Sequence, residues 1–280
     1  MNESFESLFR DYAVELRKVT DNPARDLRVL LGFLEKKAPE FYFLHPESLI
    51  PENICAQLKT LVQRRISDEP LSKIIGEREF FGRTFKITKD TLDPRPDTET
   101  LVDAVLHYAK DLPKPLRILD LGVGTGCILV TLLLEMKNAT GVGVDLSPEA
   151  LKVAADNATH FGLLERASLR EGNWFSALDE KEKFSLIVSN PPYIAYHEVL
   201  EKNVQDYDPH LALFSGETGL EAYEVIAKGA RQHLLAGGLI AVEFGKGQEK
   251  AVRALFEAES FEFIAYFNDL TGGIRCAIFA

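Results

Sequence analysis

The chain has 280 residues, enough for one large domain or two smaller ones, and 46% hydrophobic with 27% charged residues suits a globular protein with a sizeable core. A net charge of −11 argues against a large electrostatic footprint on nucleic acid, whose binding rests on Lys and Arg. The cysteines Cys55, Cys127 and Cys276 are far apart and show no CxxC pattern, and the six histidines are scattered, so neither a disulfide framework nor a metal site is expected.

The polar, acidic start Met1-Asn2-Glu3-Ser4 lacks the apolar run of a signal peptide, and no apolar stretch reaches spanning length, so no membrane association is expected. Residues 1–75 read as helical. Leu8, Tyr12, Leu16 and Val19 keep helical spacing, Asp21-Asn22-Pro23 is a break and a cap, and Leu27, Leu30, Leu31 and Leu34 continue the pattern. Pro39, Pro46 and Pro51 cut this region into short helices, and Arg64-Arg65 reads as a solvated helix face. With no glycine loop or nucleophile motif, it is expected to be a small partner-binding domain.

Residues 76–93 alternate apolar and polar around a glycine, from Glu79-Phe80-Phe81-Gly82 to Thr88, which predicts a β-hairpin joining two domains. Asp93-Pro94-Arg95-Pro96-Asp97-Thr98 is then a rigid turn feeding a helix that Asp97 or Thr98 could cap. From 116 onward strands and helices alternate. Strands are predicted near 116–121, 140–145, 166–171, 184–189, 238–244, 261–266 and 274–279, and helices near 126–137, 148–160, 217–235 and 247–257. This order implies an α/β fold with a doubly wound, mainly parallel sheet of seven strands, the last pair antiparallel.

Three motifs sit at the carboxyl ends of these strands, the edge where open α/β sheets bind ligands. After 116–121 comes Gly122-Val123-Gly124-Thr125-Gly126, whose glycines let a ligand approach the backbone. The spacing is G-x-G-x-G rather than the G-x-G-x-x-G of dinucleotide binders. Asp145 ends the next strand, where an acidic residue can bond both hydroxyls of a ribose. Asn190-Pro191-Pro192-Tyr193 follows the strand 184–189. The Asn oxygen and a proline carbonyl can accept from an –NH2 group, the prolines stiffen the turn, and the Tyr ring can pack on a flat face. The set suits a planar –NH2, whether a protein side-chain amide or the exocyclic amine of a nucleobase.

With these residues in view, the catalytic half resembles class I S-adenosylmethionine-dependent methyltransferases, and nearly the whole chain resembles the PrmC/HemK family of protein glutamine N5-methyltransferases. The similarity runs through Gly76-Glu77, Phe80-Phe81-Gly82, Arg95-Pro96-Asp97-Thr98-Glu99, the glycine turn, Asp145, Asn173-Trp174-Phe175, Asn190 to Tyr193, Pro209-His210-Leu211-Ala212-Leu213 and Thr218-Gly219-Leu220. The resemblance implies a Rossmann-like methyltransferase domain over 94–280, a β-hairpin linker over 76–93 and an all-helical substrate-recognition domain over 1–75. It implies S-adenosyl-L-methionine as cofactor, with S-adenosyl-L-homocysteine as product. Gly122, Val123, Gly124, Thr125, Gly126, Asp145, Trp174 and Asn190 would contact the cofactor. Asn190, Pro191, Pro192 and Tyr193 would bind and methylate the glutamine of the Gly-Gly-Gln motif of peptide chain release factors, in support of translation termination. The expected protein is a cytoplasmic monomer without metal. Its nearest alternatives are a ribosomal-protein glutamine methyltransferase and an RNA or DNA exocyclic-amine methyltransferase.

Three positions depart from the family's pattern. Val123 stands where members usually carry Thr, which removes a hydroxyl. Asp97 replaces a common Glu, and Asn173 replaces a frequent acidic residue beside the adenine.

Overall fold

The computed structural model describes residues 3–280, so Met1 and Asn2, part of the stretch read for a signal peptide, lie outside it. The chain divides into two compact units. The first runs up to Glu77 and includes 201–207; the second holds 78–200 and 208–280.

The first unit contains β1 (Glu3–Ser4), α1 (Phe5–Leu16), α2 (Pro23–Glu35), α3 (Glu40–Leu44), β2 (Leu49–Ile50), α4 (Glu52–Ile66) and α5 (Leu71–Ile75). The helix starts follow from local chemistry. Ser4 Oγ accepts the Ser7 N–H at 3.2 Å, and Asn22 Oδ1 accepts the Arg25 N–H at 3.1 Å with Pro23 in the first turn of α2. Leu8, Leu16, Leu27, Leu30 and Leu31 form the core with Leu58 and Val62. Two sequence expectations change here. The unit is not wholly helical, because β1 and β2 pair antiparallel. Arg65 is not a solvated face: its guanidinium bonds Asp26 at 2.8 Å and the Val19 carbonyl at 2.6 Å, tying α4 to α2 and to the turn between α1 and α2. Only its neighbour Arg64 is more open, paired with Glu69.

In the rest of the chain, β3 (Glu77–Phe80) and β4 (Arg83–Lys86) form the hairpin, closed by Phe81 and Gly82 at φ 51° and 68°. Two central residues with positive φ match the twist of a tight hairpin. Phe80 and Phe85 are fully buried in the core of the second unit. A 3-10 turn at Pro96–Thr98 leads into α6 (Glu99–Tyr108). Thr98 does not cap this helix with its side chain, contrary to the sequence expectation.

The alternating region comprises β5 (Arg117–Leu121), α7 (Cys127–Glu135), β6 (Thr140–Asp145), α8 (Pro148–His160), β7 (Ala167–Glu171) and β8 (Phe184–Ser189). It continues with α9 (Lys202–Tyr207), which belongs to the first unit, then α10 (His210–Leu213), α11 (Glu221–His233), β9 (Leu234–Glu243), α12 (Glu249–Ala258), β10 (Phe263–Asn268) and β11 (Ile274–Phe279). The sheet has seven strands in the order β10-β11-β9-β8-β5-β6-β7. The strands from β9 to β7 run parallel, and β11 is antiparallel to both neighbours. Strand residues alternate between two cores: Ile118 and Leu186 face one, Leu119 and Ile187 the other. β9 starts earlier than its apolar pattern predicts, because an irregularity between Phe184 and Leu186 in the pairing accommodates the extra residues, with Gly237 at φ 73°. The chain steps from β5 outward to β6 and β7, then returns to the other side of β5 with β8. The crevice at that reversal is the expected ligand site.

Candidate active site

Register explains why the motifs meet. Leu121 pairs with Val144 on β6 and with Ser189 on β8, and Ser189 pairs with Val242 on β9. One residue further along these strands stand Gly122, Asp145, Asn190 and Glu243. Asp145 pairs in turn with Glu171, so Gly172, Asn173 and Trp174 continue the row beyond β7. Residues far apart in sequence thus reach one edge of the sheet.

A cavity of about 560 Å³ opens over this row. Of the residues expected to contact a cofactor, Gly122, Val123, Gly124, Thr125, Asp145, Trp174 and Asn190 line it. Gly126 does not. It starts α7 at φ 79°, and a Cβ there would lie 3.3 Å from Ala154 Cβ, so this glycine serves the close approach of α7 to α8. Gly122 has φ 75° and open space where a Cβ would stand, which leaves backbone accessible to a ligand. Val123 is buried against β6: a Cβ at Gly143 would lie 2.8 Å from Val123 Cγ2. Its side chain therefore packs on the strand, and this is what a valine at that position does here.

The Asp145 carboxyl is fixed by backbone. Oδ2 accepts the Gly124 N–H at 2.8 Å and Oδ1 accepts the Ser147 N–H at 2.9 Å. Burial raises its pKa from the ordinary carboxylate value, against those two bonds, which lower it. Beneath the turn, wholly buried Asp120 accepts the Leu129 N–H at 3.2 Å, and burial pushes it up to about 7. Trp174 is half-buried at φ 52°, an uncommon conformation for a bulky residue. It opens the 3-10 turn Trp174–Ala177, where the Asn173 N–H donates to Ser176 Oγ at 2.8 Å.

Asn190 and Pro192 line the cavity, Pro191 is buried, and Tyr193 packs against the core on its side of the sheet. Asn190 Nδ2 donates to Thr98 Oγ1 at 3.2 Å. The Tyr193 carbonyl accepts from Gln248 Nε2 at 2.9 Å, while Gln248 Oε1 accepts the Gly245 N–H at 2.9 Å. A Cβ at Gly219 would lie 2.4 Å from the Tyr193 carbonyl oxygen, so only glycine fits at that φ of 76°. Burial also raises the Tyr193 hydroxyl pKa.

Three supporting residues, Asn157, Glu243 and Gln248, carried no motif in the sequence; a fourth, Thr98, lies in the Arg95–Glu99 segment and was expected there only as a helix cap. Asn157 on α8 donates to the Thr125 and Lys86 carbonyls, each at 2.9 Å, and accepts the Lys86 N–H at 2.8 Å, tying the glycine turn to the hairpin. Glu243 is buried at the end of β9. Burial pushes it up to about 7; Thr98, Arg275 and Asn190 lower it, and Asp97 raises it. Its signal was available: it ends an apolar strand, as Asp145 does.

Comparison with known proteins points one way. Residues 7–76 match the family described as the PrmC N-terminal domain, and residues 112–231 one described as a methyltransferase domain. A curated release factor glutamine methyltransferase from Cereibacter sphaeroides is 44% identical over 258 residues, covering 91% of this chain and 90% of that protein. Another, from Agrobacterium fabrum, is 37% identical, covering 92% and 90%. The crystal structure of a methyltransferase from Pyrococcus furiosus shares the fold, with TM-score 0.52 at 16% identity, covering 80% of this chain and 97% of that one. Among the described residues no helix is long and apolar enough to cross a membrane.

Proposed function

The chain belongs to the release factor glutamine methyltransferase family, and from that premise we propose that it methylates the side-chain nitrogen (N5) of the glutamine in the Gly-Gly-Gln motif of peptide chain release factors. The cofactor is S-adenosyl-L-methionine and the product S-adenosyl-L-homocysteine. The enzyme acts as a cytoplasmic monomer, and its N-terminal unit serves substrate recognition.

The observation that carries this reading is the pairing of Leu121 with Ser189, which starts the glycine turn and the tetrapeptide side by side. The residues present suit the cofactor: a cavity of about 560 Å³, an open backbone at Gly122 and a carboxyl at Asp145. In this assignment the glycine turn borders the methionine and ribose, Asp145 takes the ribose hydroxyls, and Trp174 flanks the adenine. When bound, the cofactor supplies an electrophilic methyl group on a positively charged sulfur.

The chain's own residues then have two tasks. An amide nitrogen is a poor nucleophile, because its lone pair is delocalised into the carbonyl. Holding it in line with the methyl group can remove roughly 7–11 kcal/mol of barrier. Asn190 Oδ1 and the Pro191 carbonyl accept from the –NH2 and stabilise the positive charge that nitrogen gains. Asn190 and Pro191 would keep the nitrogen facing the methyl group throughout the transfer, and with no general base in the tetrapeptide the methylated amide would release its proton to water.

The test is methyl transfer from labelled S-adenosylmethionine to purified release factor, with a Gln→Ala change in the Gly-Gly-Gln motif as control. Label on the wild-type substrate alone is expected. No label, alongside normal cofactor binding, would overturn the substrate assignment and favour a ribosomal protein or RNA.

A further inference from the structure

We propose that Glu243 is a positioning residue that holds the Asn190 amide in its productive orientation through the hydroxyl of Thr98. The inference rests on the reading above, in which Asn190 Oδ1 faces the substrate –NH2. For that, Nδ2 must face away and find an acceptor. It donates to Thr98 Oγ1 at 3.2 Å.

Thr98 is 2% exposed, so its hydroxyl has few partners to choose from. A hydroxyl has one hydrogen, and an oxygen that accepts from Asn190 can give that hydrogen to another acceptor. Glu243 stands beside Asn190 at the sheet edge, because Val242 pairs with Ser189, and its buried carboxyl is the acceptor assigned to that hydrogen; Thr98 and Asn190 both favour its ionised form. Its buried Oε2 has no hydrogen-bond partner among the described residues, which leaves this carboxyl oxygen open to a donor.

An ionised carboxylate only accepts. Thr98 and Asn190 must therefore both present hydrogens towards it, which settles which end of the Asn190 amide faces inward. A flipped amide would set Oδ1 against Thr98, draw the hydroxyl hydrogen away from Glu243, and leave a buried carboxylate short of donors. It would also turn Nδ2, a donor, towards the substrate's own N–H groups. β-sheet register makes the arrangement rigid, since Ser189 pairs with Val242 directly before the two residues concerned.

The same geometry makes the orientation depend on protonation. A neutral Glu243 carboxyl becomes a donor, competes for Thr98 Oγ1 and releases the amide. Several titratable groups surround it: Asp97 on the 3-10 turn, Arg275 and Cys276 on β11, Tyr193 after β8, Tyr223 on α11 and Cys127 on α7. Arg275 pairs with Asp97 at 3.2 Å and Asp269 at 2.8 Å, and the Tyr223 hydroxyl donates to the Glu243 backbone carbonyl at 2.8 Å.

The experiment compares wild type, E243Q, T98V, T98S and the double variant E243Q/T98V, with N190A as control. Turnover of labelled release factor is read across pH 5.5–9. Cofactor affinity and melting temperature are read beside it, and side-chain amide exchange of Asn190 is followed by NMR. The expected result is a kcat about 100-fold lower in E243Q and T98V, with cofactor affinity retained. T98S keeps the hydroxyl and recovers turnover, and the double variant is no worse than either single one. The wild-type rate climbs with pH near neutrality, and E243Q loses that limb. The Asn190 amide protons are protected at pH 8 in wild type and exchange quickly in E243Q.

Wild-type kcat and an unchanged pH profile in E243Q or T98V would overturn the proposal, as would unchanged amide protection. A wild-type enzyme that leaves release factor unlabelled, or an N190A variant that turns over normally, would instead sink the functional reading. The NMR measurement needs no substrate and decides the positioning role in either case.

Discussion

At the tip of β6 the Asp145 carboxyl accepts two backbone N–H groups, from Gly124 and Ser147, whereas at the tip of β9 the buried Glu243 carboxyl has an oxygen with no hydrogen-bond partner among the described residues, and the groups that shift its pKa, Thr98, Asn190, Arg275 and Asp97, come from distant elements. The two residues occupy the same row of the sheet. Their surroundings divide the strand-end row into a half shaped by a local turn and a half assembled from distant elements. In the first half the donors lie within 21 and 2 positions of Asp145, all in one β-α-β unit. In the second, Asn190 meets Thr98 across 92 positions, and Gln248 meets Tyr193 across 55. A local turn tolerates change elsewhere in the fold, while a convergent cluster depends on several elements being placed at once.

Substitution should break the two halves in different observables. Asn190→Ala is expected to lower kcat by about 10²–10³-fold while leaving cofactor affinity nearly intact. Asp145→Ala should do the reverse, weakening cofactor binding by about 10–100-fold with a smaller effect on kcat at saturation. Single-turnover rates and calorimetric titration measure the two effects separately. Equal losses in both observables for both variants would erase the distinction between the halves.

A smaller effect should appear in stability. Burial raises both Asp120 and Glu243 to about 7, above the ordinary carboxylate range. Between about pH 4 and 7 the folded state then keeps protons that the unfolded state has lost, so stability falls as pH rises through this window. Each group contributes on the order of 3–4 kcal/mol to the fall. Urea unfolding at pH 5 and pH 8 should show a shallower fall for Asp120→Asn and for Glu243→Gln. An unaltered slope in both would show that these carboxyls do not take up protons on folding.

Gln248→Ala sharpens the comparison at the lowest cost to the fold. It removes the donor to the Tyr193 carbonyl and the acceptor for the Gly245 N–H. A loss of about 1–2 kcal/mol in stability is expected, with a fall in kcat of about tenfold, because the tetrapeptide is less well held. Cofactor affinity should stay put; a matching loss there would mean that the two halves are mechanically one.

Much of this architecture could be read in advance. β8 was legible to the residue because a parallel strand covered on both faces is a continuous apolar run, and its six residues are all buried. α8 was legible as a helix near 148–160 from its apolar spacing, and the structure starts it at Pro148 with Ser147 as its cap. β9 was misjudged at its start, where the pairing irregularity extends the strand past the apolar pattern. Arg65 was misjudged because charge alone does not reveal a partner 39 positions away, here Asp26.

The glycine turn, Asp145 and the tetrapeptide declare themselves in the sequence, because each needs a residue type with a special backbone or donor pattern at a strand's end. The partners of Thr98, Asn157, Glu243 and Gln248 do not, since nothing in a Thr, Asn, Glu or Gln side chain says which distant group it will meet. Their roles come from register: Leu121 beside Ser189, and Ser189 beside Val242, bring Glu243 alongside Asn190. The sequence by itself determined the order of the seven sheet strands along the chain and the chemistry at their ends, but not the short β1, β2, α9 and α10. The tertiary structure decided which ends are neighbours, because strand pairing is a long-range hydrogen-bonding choice that local residue patterns do not encode.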